Sequence, residues 1–351
     1  MKVGQTPAVC LVLVLCACTP GQAQEGPRIE ASAAKAAQES PEKTEIRGTP
    51  YLGGYALFTT TYTPDRFTQI GTVLTPVLLI PFGNKWLIET KFVLDGEYKR
   101  DANSMQWDQT LGKNFELIQL DYIASRYLTV VAGRFLTPFG IFNERQHAPW
   151  IKKLQIQPFI ATGAPSGNGG MLKGAFEIGS AVQLNYAAYF SALTSVETIK
   201  TRRTAGSRIG LAFSNHRLEF GTSFQRVLQD GQSSSFGFDA TWLPLRLPLE
   251  FRAEYSNSVE GDGYWVEAGY RFSRRNEGVL RMEQFFVPSG FSKPVNPGPG
   301  GDLAIVNTRR PMLGWNYYLR DGIKFGISYG RQFTARGDTH VGNVVVVYRF
   351  Q

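Results

Sequence analysis

Three histidines, His147, His216 and His340, are the first residues to ask for acid–base chemistry, and each stands apart from the others. They fall in a loop, in a turn and near the outer end of the last strand-like segment. No Ser/His/Asp set can be assembled around any of them, and none has the spacing of a metal ligand cluster. The expectation is therefore no enzyme, no catalytic residue, no cofactor and no metal. Gly163 to Gly170 (GAPSGNGG) lacks the lysine and the following helix of a phosphate loop and reads as a flexible loop. Glu260-Gly261-Asp262-Gly263 is a single acidic turn, thin support for a calcium site. A more coherent group of charges is Glu144, Arg145, His147, Lys152 and Lys153, gathered in one stretch with a cationic balance. Such a group sets a local field for a passing solute, which makes weak anion preference the hypothesis. The alternative that Glu144 and Arg145 only pair to hold a loop's shape stays open.

That stretch belongs to Ala132 to Ile151 (AGRFLTPFGIFNERQHAPWI), the most individual segment of the chain. Pro138-Phe139-Gly140 breaks a strand, and Asn143 is placed to cap a short helix. Ile141, Phe142, Trp150 and Ile151 are too apolar for a solvated surface loop. They must be buried against a lumen wall or a subunit interface.

The elements around this segment have period 2. Leu249, Phe251, Ala253 and Tyr255 alternate with Glu250, Arg252, Glu254 and Ser256. Ile323, Phe325, Ile327 and Tyr329 alternate with Lys324, Gly326, Ser328 and Gly330. The end of the chain, Thr339 to Phe350, puts Val344, Val346, Tyr348 and Phe350 on one face and Asn343 and Arg349 on the other. One apolar face rich in aromatics and one wet face is what a lipid-facing barrel strand needs. The pattern predicts strands near 50–62, 69–80, 85–99, 114–124, 127–135, 169–178, 181–191, 206–214, 217–226, 234–243, 248–257, 263–273, 277–286, 307–319, 322–333 and 339–350. The fold class is thus all-β: a transmembrane, antiparallel, up-and-down barrel of about 16 strands, an even number with both termini on the periplasmic side. Short turns (81–84, 215–216, 320–322) alternate with longer connections (100–113, 136–168, 192–205, 287–306). The longer ones are assigned to the cell exterior, and the third is expected to fold into the lumen.

Alternation also assigns charges to the wet face. Lys91, Lys173, Arg208, Arg252, Arg271, Arg281, Lys324 and Arg349 are expected to point inward, with Glu89, Asp95, Glu97, Asp121, Glu177, Glu219, Asp239, Glu250, Glu254, Glu267 and Glu283. A mixed wall keeps a channel wet without specifying an ion, and most of these charges should pair across neighbouring strands.

The chain opens with Lys2, an apolar run from Ala8 to Ala17 and then small residues, the build of an export signal over 1–23. Cleavage before Gln24 is favoured over lipidation at Cys18. Because Cys10, Cys16 and Cys18 all lie in this segment, the mature chain carries no disulfide. Residues 24–48 are polar and Ala/Glu/Lys-rich, a periplasmic linker or a short helix, and the barrel occupies 49–351. The net charge of +8 is modest and without a basic tract, which argues against nucleic acid. It suits contact with membrane lipids and lipopolysaccharide, or small hydrophilic solutes and anions in a pore.

The string GRF-x-x-PFG-x-FNER with a following Trp resembles the segment found in outer-membrane porins of the phosphate-selective (O/P) type and their relatives. The resemblance implies a 16-stranded, typically trimeric diffusion channel of the bacterial outer membrane, constricted by its third extracellular loop. It does not carry over phosphate selectivity, since no dense run of inward arginines or lysines maps onto such a pathway. The expectation is a homotrimeric porin for small hydrophilic solutes or ions. The alternatives are a lipid hydrolase built on His147 or His340, or a structural barrel plugged by its own loop.

Overall fold

A computed structural model describes residues 49–64, 67–101, 106–144, 148–159, 166–213, 216–229, 233–259, 261–288, 307–320, 322–334 and 337–350. The expected export signal, Cys18 and the polar linker lie outside them, as do Arg145, His147, Glu260 and the side chain of Glu144.

The described residues form sixteen strands: β1 (Tyr51–Thr63), β2 (Phe67–Phe82), β3 (Trp86–Asp101), β4 (Asp108–Ser125), β5 (Leu128–Leu136), β6 (Ser166–Ile178), β7 (Val182–Ser191) and β8 (Thr204–Phe213), then β9 (Leu218–Val227), β10 (Ser234–Trp242), β11 (Leu249–Ser258), β12 (Gly261–Arg271), β13 (Asn276–Phe286), β14 (Thr308–Arg320), β15 (Ile323–Thr334) and β16 (Gly337–Phe350). Each pairs antiparallel with its sequence neighbours, and β1 pairs with β16 from Gly54 opposite Phe350 to Tyr62 opposite Gly342. Closure leaves no strand edge, so every strand finds ladder partners on both sides, the condition for crossing a bilayer with β-structure.

Alternation sorts the side chains. On β15, Ile327 and Tyr329 are more than half exposed, while Lys324 and Ser328 are buried. The same division runs through β11, where Arg252 and Glu254 are buried and Tyr255 is exposed. Large apolar residues on an open face and charges on a covered one invert the rule for water-soluble proteins.

Strand length is uneven. β2, β3 and β4 have 16, 16 and 18 residues, whereas β5 has 9 and β7 to β11 have 9 or 10. About 9–11 tilted residues suffice to cross a bilayer, so the first group extends well past the hydrocarbon layer. Two expectations need correction. The glycine-rich stretch 163–170 is not all loop, because Ser166–Gly170 open β6, where small residues pair with Leu136 to Ala132 of β5. Asn143 does not cap the short helix α1 (Gly140–Glu144) but sits inside it. Its Nδ2 donates back to the Thr137 carbonyl at 2.8 Å and to Thr137 Oγ1 at 3.0 Å, tying the helix to the end of β5.

Candidate functional site

The connection between β5 and β6 leaves the wall at Gly140, where φ is +64° and a side chain would run into the carboxylate of Glu254. Glycine answers both demands, the left-handed backbone and the close approach. Beyond it the connection turns its apolar side chains and its backbone to the charged face of the barrel. Phe139 and Ile141 are almost wholly buried, and Phe142 meets Trp265 of β12 edge to face at 6.4 Å between ring centroids. Leu154 packs with Val279 of β13 and Met312 of β14. Trp150 meets Tyr55 of β1 at 5.2 Å between ring centroids.

Strand side chains grip the backbone of this connection by sign. Its amides are held by acceptors: Gly140 N–H donates to Ser223 Oγ at 3.1 Å, Phe142 N–H to Glu254 Oε2 at 3.0 Å and Phe159 N–H to Glu283 Oε2 at 3.0 Å. Its carbonyls are held by donors. Lys324 Nζ donates to the carbonyls of Pro149 (2.8 Å) and Lys152 (2.6 Å), and Arg252 Nη1 to that of Ile151 (3.1 Å). Asn316 Nδ2 donates to Lys153 O (3.0 Å), Arg310 Nη2 to Gln157 O (2.8 Å) and Arg281 to Ile156 O. Buried backbone groups outside regular structure must find partners, and here the strands supply them.

The two lysines of the connection behave differently. Lys153 Nζ lies 2.9 Å from Glu250 and 2.5 Å from Glu277. Burial works against its charge, but the two carboxylates outweigh it and hold the ammonium above its usual pKa. Lys152 Nζ lies 5.0 Å from the centroid of the Phe142 ring. Burial pushes it down to about 8, with Lys91 and Arg281 adding to the effect and Glu116 opposing it.

The charges assigned by alternation fall together on the covered face. Glu267 lies between Arg252 at 4.0 Å and Arg281 at 3.7 Å, and Arg281 reaches Glu283 at 2.7 Å. Arg208 pairs with Asp239 at 2.6 Å. On the strands the connection does not grip, Lys173 pairs with Asp121 at 3.1 Å, and Gln119 links Asp121 (2.9 Å) to Glu89 (3.4 Å). Lys91 pairs with Glu116. Arg271 lies 5.4 Å from the ring of Tyr318, near the short-turn end. Sequence reasoning named most of this face but missed Glu277, Arg310 and Asn316, although the same alternation places all three on it. It also missed Arg134 and Asn168, polar residues on the apolar face. Arg134 donates to the carbonyls of Phe115 and Ile199 and to Asn168 Oδ1, which fastens the 3₁₀ turn Glu197–Ile199 against β5 and β6. Of the two histidines described, His216 bonds Glu219 at 2.9 Å and His340 bonds and stacks on Tyr329.

No protein-family model matches the chain, and no curated protein matches it in sequence. Solved structures match it in shape. The anion-selective porin from Comamonas acidovorans superposes with a TM-score of 0.58 at 11% identity, covering 87% of this chain and all of that one (100%). Salmonella typhi OmpF in complex with daunomycin gives 0.56 at 12% identity, covering 88% and 100%. Pseudomonas putida OprB gives 0.56 at 8% identity, covering 86% and 93%. The chain thus has the porin type of barrel fold.

Proposed function

We propose that the chain is an outer-membrane porin, a water-filled barrel for passive diffusion of small hydrophilic solutes or ions. In this reading the charged face is the inner one, and the connection after β5 crosses the lumen and narrows it. The observation that carries it is the grip on that connection by β1, β9 and β11 to β15 together. Strands so far apart in a closed barrel can share one short segment only across its interior. The grip is also deep: Glu250, Glu277 and Lys324 are each the second residue of their strands, counted from the short-turn end. The connection therefore reaches toward the periplasmic mouth.

Weak anion preference is part of the proposal, and within the connection Lys152 carries it, since Lys153 is neutralised by two carboxylates; on the wall the half-exposed Lys173 adds to it. Kinship with porins of the phosphate-selective (O/P) type rests on the GRF-x-x-PFG-x-FNER segment and brings no phosphate selectivity with it; the homotrimer rests on the porin fold, and export on residues 1–23. Membrane lipids and lipopolysaccharide are the surroundings proposed for the apolar face. Liposomes containing the protein should swell in small sugars and progressively less in larger ones, and a salt gradient should give a reversal potential favouring chloride. Swelling no faster than protein-free liposomes would refute the channel, and cation preference would refute the role of Lys152.

A second reading, a barrel closed by its own loop, is favoured by one observation. Every strand carries at least one side chain of the charged face, or the face it shares, that is nearly inaccessible to solvent, from Tyr55 and Thr75 round to Val345. Lys173 is the contrast: its side chain is 38% exposed beside the buried Asp121, which marks the β4–β6 side as the place for a passage. A hydrolase at His340 finds less support, because its ring nitrogen is engaged by the Tyr329 hydroxyl.

A further inference from the structure

On the apolar face of β13 to β16 the side chains change character at one level. Along β15, Ile323, Phe325, Ile327 and Tyr329 are followed by Arg331 and Phe333, and along β14, reading the same way, Trp315, Leu313 and Pro311 are followed by Arg309. Gln284 stands opposite Arg309 and Arg309 opposite Phe333, while Arg331, two residues nearer the apolar band, stands opposite His340, so the change runs across four strands within two residues of register. Arg309 and Arg331 both lie over the ring of Phe333, at 5.2 and 5.0 Å from its centroid. Arg331 is further oriented by Asp338 at 2.8 Å, with its own side chain half exposed. Directly below, Leu280, Met282, Pro311, Leu313 and Tyr329 line an apolar groove of about 460 Å³ that ends at Arg331.

We propose that this groove and the arginine pair form a docking site for one lipid of the outer leaflet, a phosphate-bearing glycolipid. An acyl chain lies in the groove and a phosphate meets the two guanidiniums. Charge complementarity selects this occupant. Two planar cations share one aromatic ring, and with Asp338 answering part of the charge of Arg331 the cluster keeps a net positive charge that meets a phosphate through charge-assisted hydrogen bonds. A zwitterionic headgroup would satisfy only part of that charge. The groove supplies apolar contact where the phosphate alone would be exchanged freely with water. The proposal rests on the channel reading only for the assignment of the long-connection end to the cell exterior.

The test is native mass spectrometry of the full mature protein in mild detergent, titrated with bisphosphorylated lipid A and with the same lipid stripped of both phosphates. The intact protein should prefer the phosphorylated lipid by about tenfold or more, the scale of one or two charge-assisted bonds. Arg309→Gln with Arg331→Gln should remove that preference, while Leu280→Trp, which fills the groove, should weaken both lipids alike. Arg202→Gln with Arg203→Gln, a basic pair elsewhere on the same rim, should leave the titration unchanged. Equal binding of the two lipids overturns the proposal. So does an unaltered preference in the first double variant, or inorganic phosphate binding as tightly as the lipid. Gel mobility before and after heating confirms that each variant still forms the barrel. A protein that fails to conduct would remove the channel reading and leave this titration unaffected.

Discussion

The two sides of the barrel use the same residue types for different ends. From β9 round to β15, lysine, arginine and glutamate are engaged with the backbone of the β5–β6 connection and with Lys153. From β3 to β6, the corresponding charges pair with one another: Lys91 with Glu116, and Lys173 with Asp121. On the first side a charged residue is a structural clamp whose field is spent locally. On the second, in the channel reading proposed above, Lys173 is the half-exposed charge that acts on a solute, whereas Lys91, Glu116 and Asp121 are buried. Charge type alone therefore says little about selectivity. What decides it is whether a peptide group already occupies the charge.

The strongest way to break the comparison is to remove Lys153 from between Glu250 and Glu277. Lys153→Met strips the buried Glu277 of its cation and leaves the buried Glu250 with Arg252 alone, and should cost about 3–5 kcal/mol in reversible urea unfolding from lipid vesicles. A loss no larger than that of an exposed lysine would show that the connection is not clamped there. Next is Lys324→Met, which strips donors from two backbone carbonyls and should cost about 1–3 kcal/mol in the same assay. It should also raise current noise, as the tip of the connection gains freedom. Lys173→Met probes the opposite side. It removes a half-screened pair and should change stability by less than about 1 kcal/mol, yet move the reversal potential toward cations. Stability and selectivity should therefore separate between the two sides, and finding both effects at one residue would blur the distinction. The smallest effect is on pH. Because burial holds Lys152 near a pKa of about 8, its charge is present below that pH and lost as pH rises through it. Anion preference should decline over the same interval, and Lys152→Met should abolish the decline.

The barrel was legible because its cause is local. A strand with lipid on one side and water on the other must alternate, so Leu249 to Ser256 or Ile323 to Gly330 declare both strand and facing without any partner. Strand ends were less legible. β4 starts at Asp108 rather than near 114, because the polar residues above the hydrocarbon layer carry no apolar mark. The loop's partners were not legible at all. That Glu254 would accept from the Phe142 amide, or Lys324 donate to Pro149, depends on contacts over 100 residues apart in sequence. Asn143 misled because its type suits a cap, whereas the first amides of the helix it sits in are taken by Ser223 and Glu254, and its own side chain turns back to Thr137. Arg134 broke the alternation for a related reason: its charge is met by carbonyls and Asn168, not by lumen water.

The central claim is a passage narrowed by the connection after β5. Its most direct test is single-channel conductance in a planar bilayer, comparing the intact protein with one in which 141–158 is replaced by a short Gly-Ser linker. Discrete steps from the intact barrel, and clearly larger ones after the replacement, are the predicted result. A silent intact barrel, or steps of the same size from both proteins, would contradict it.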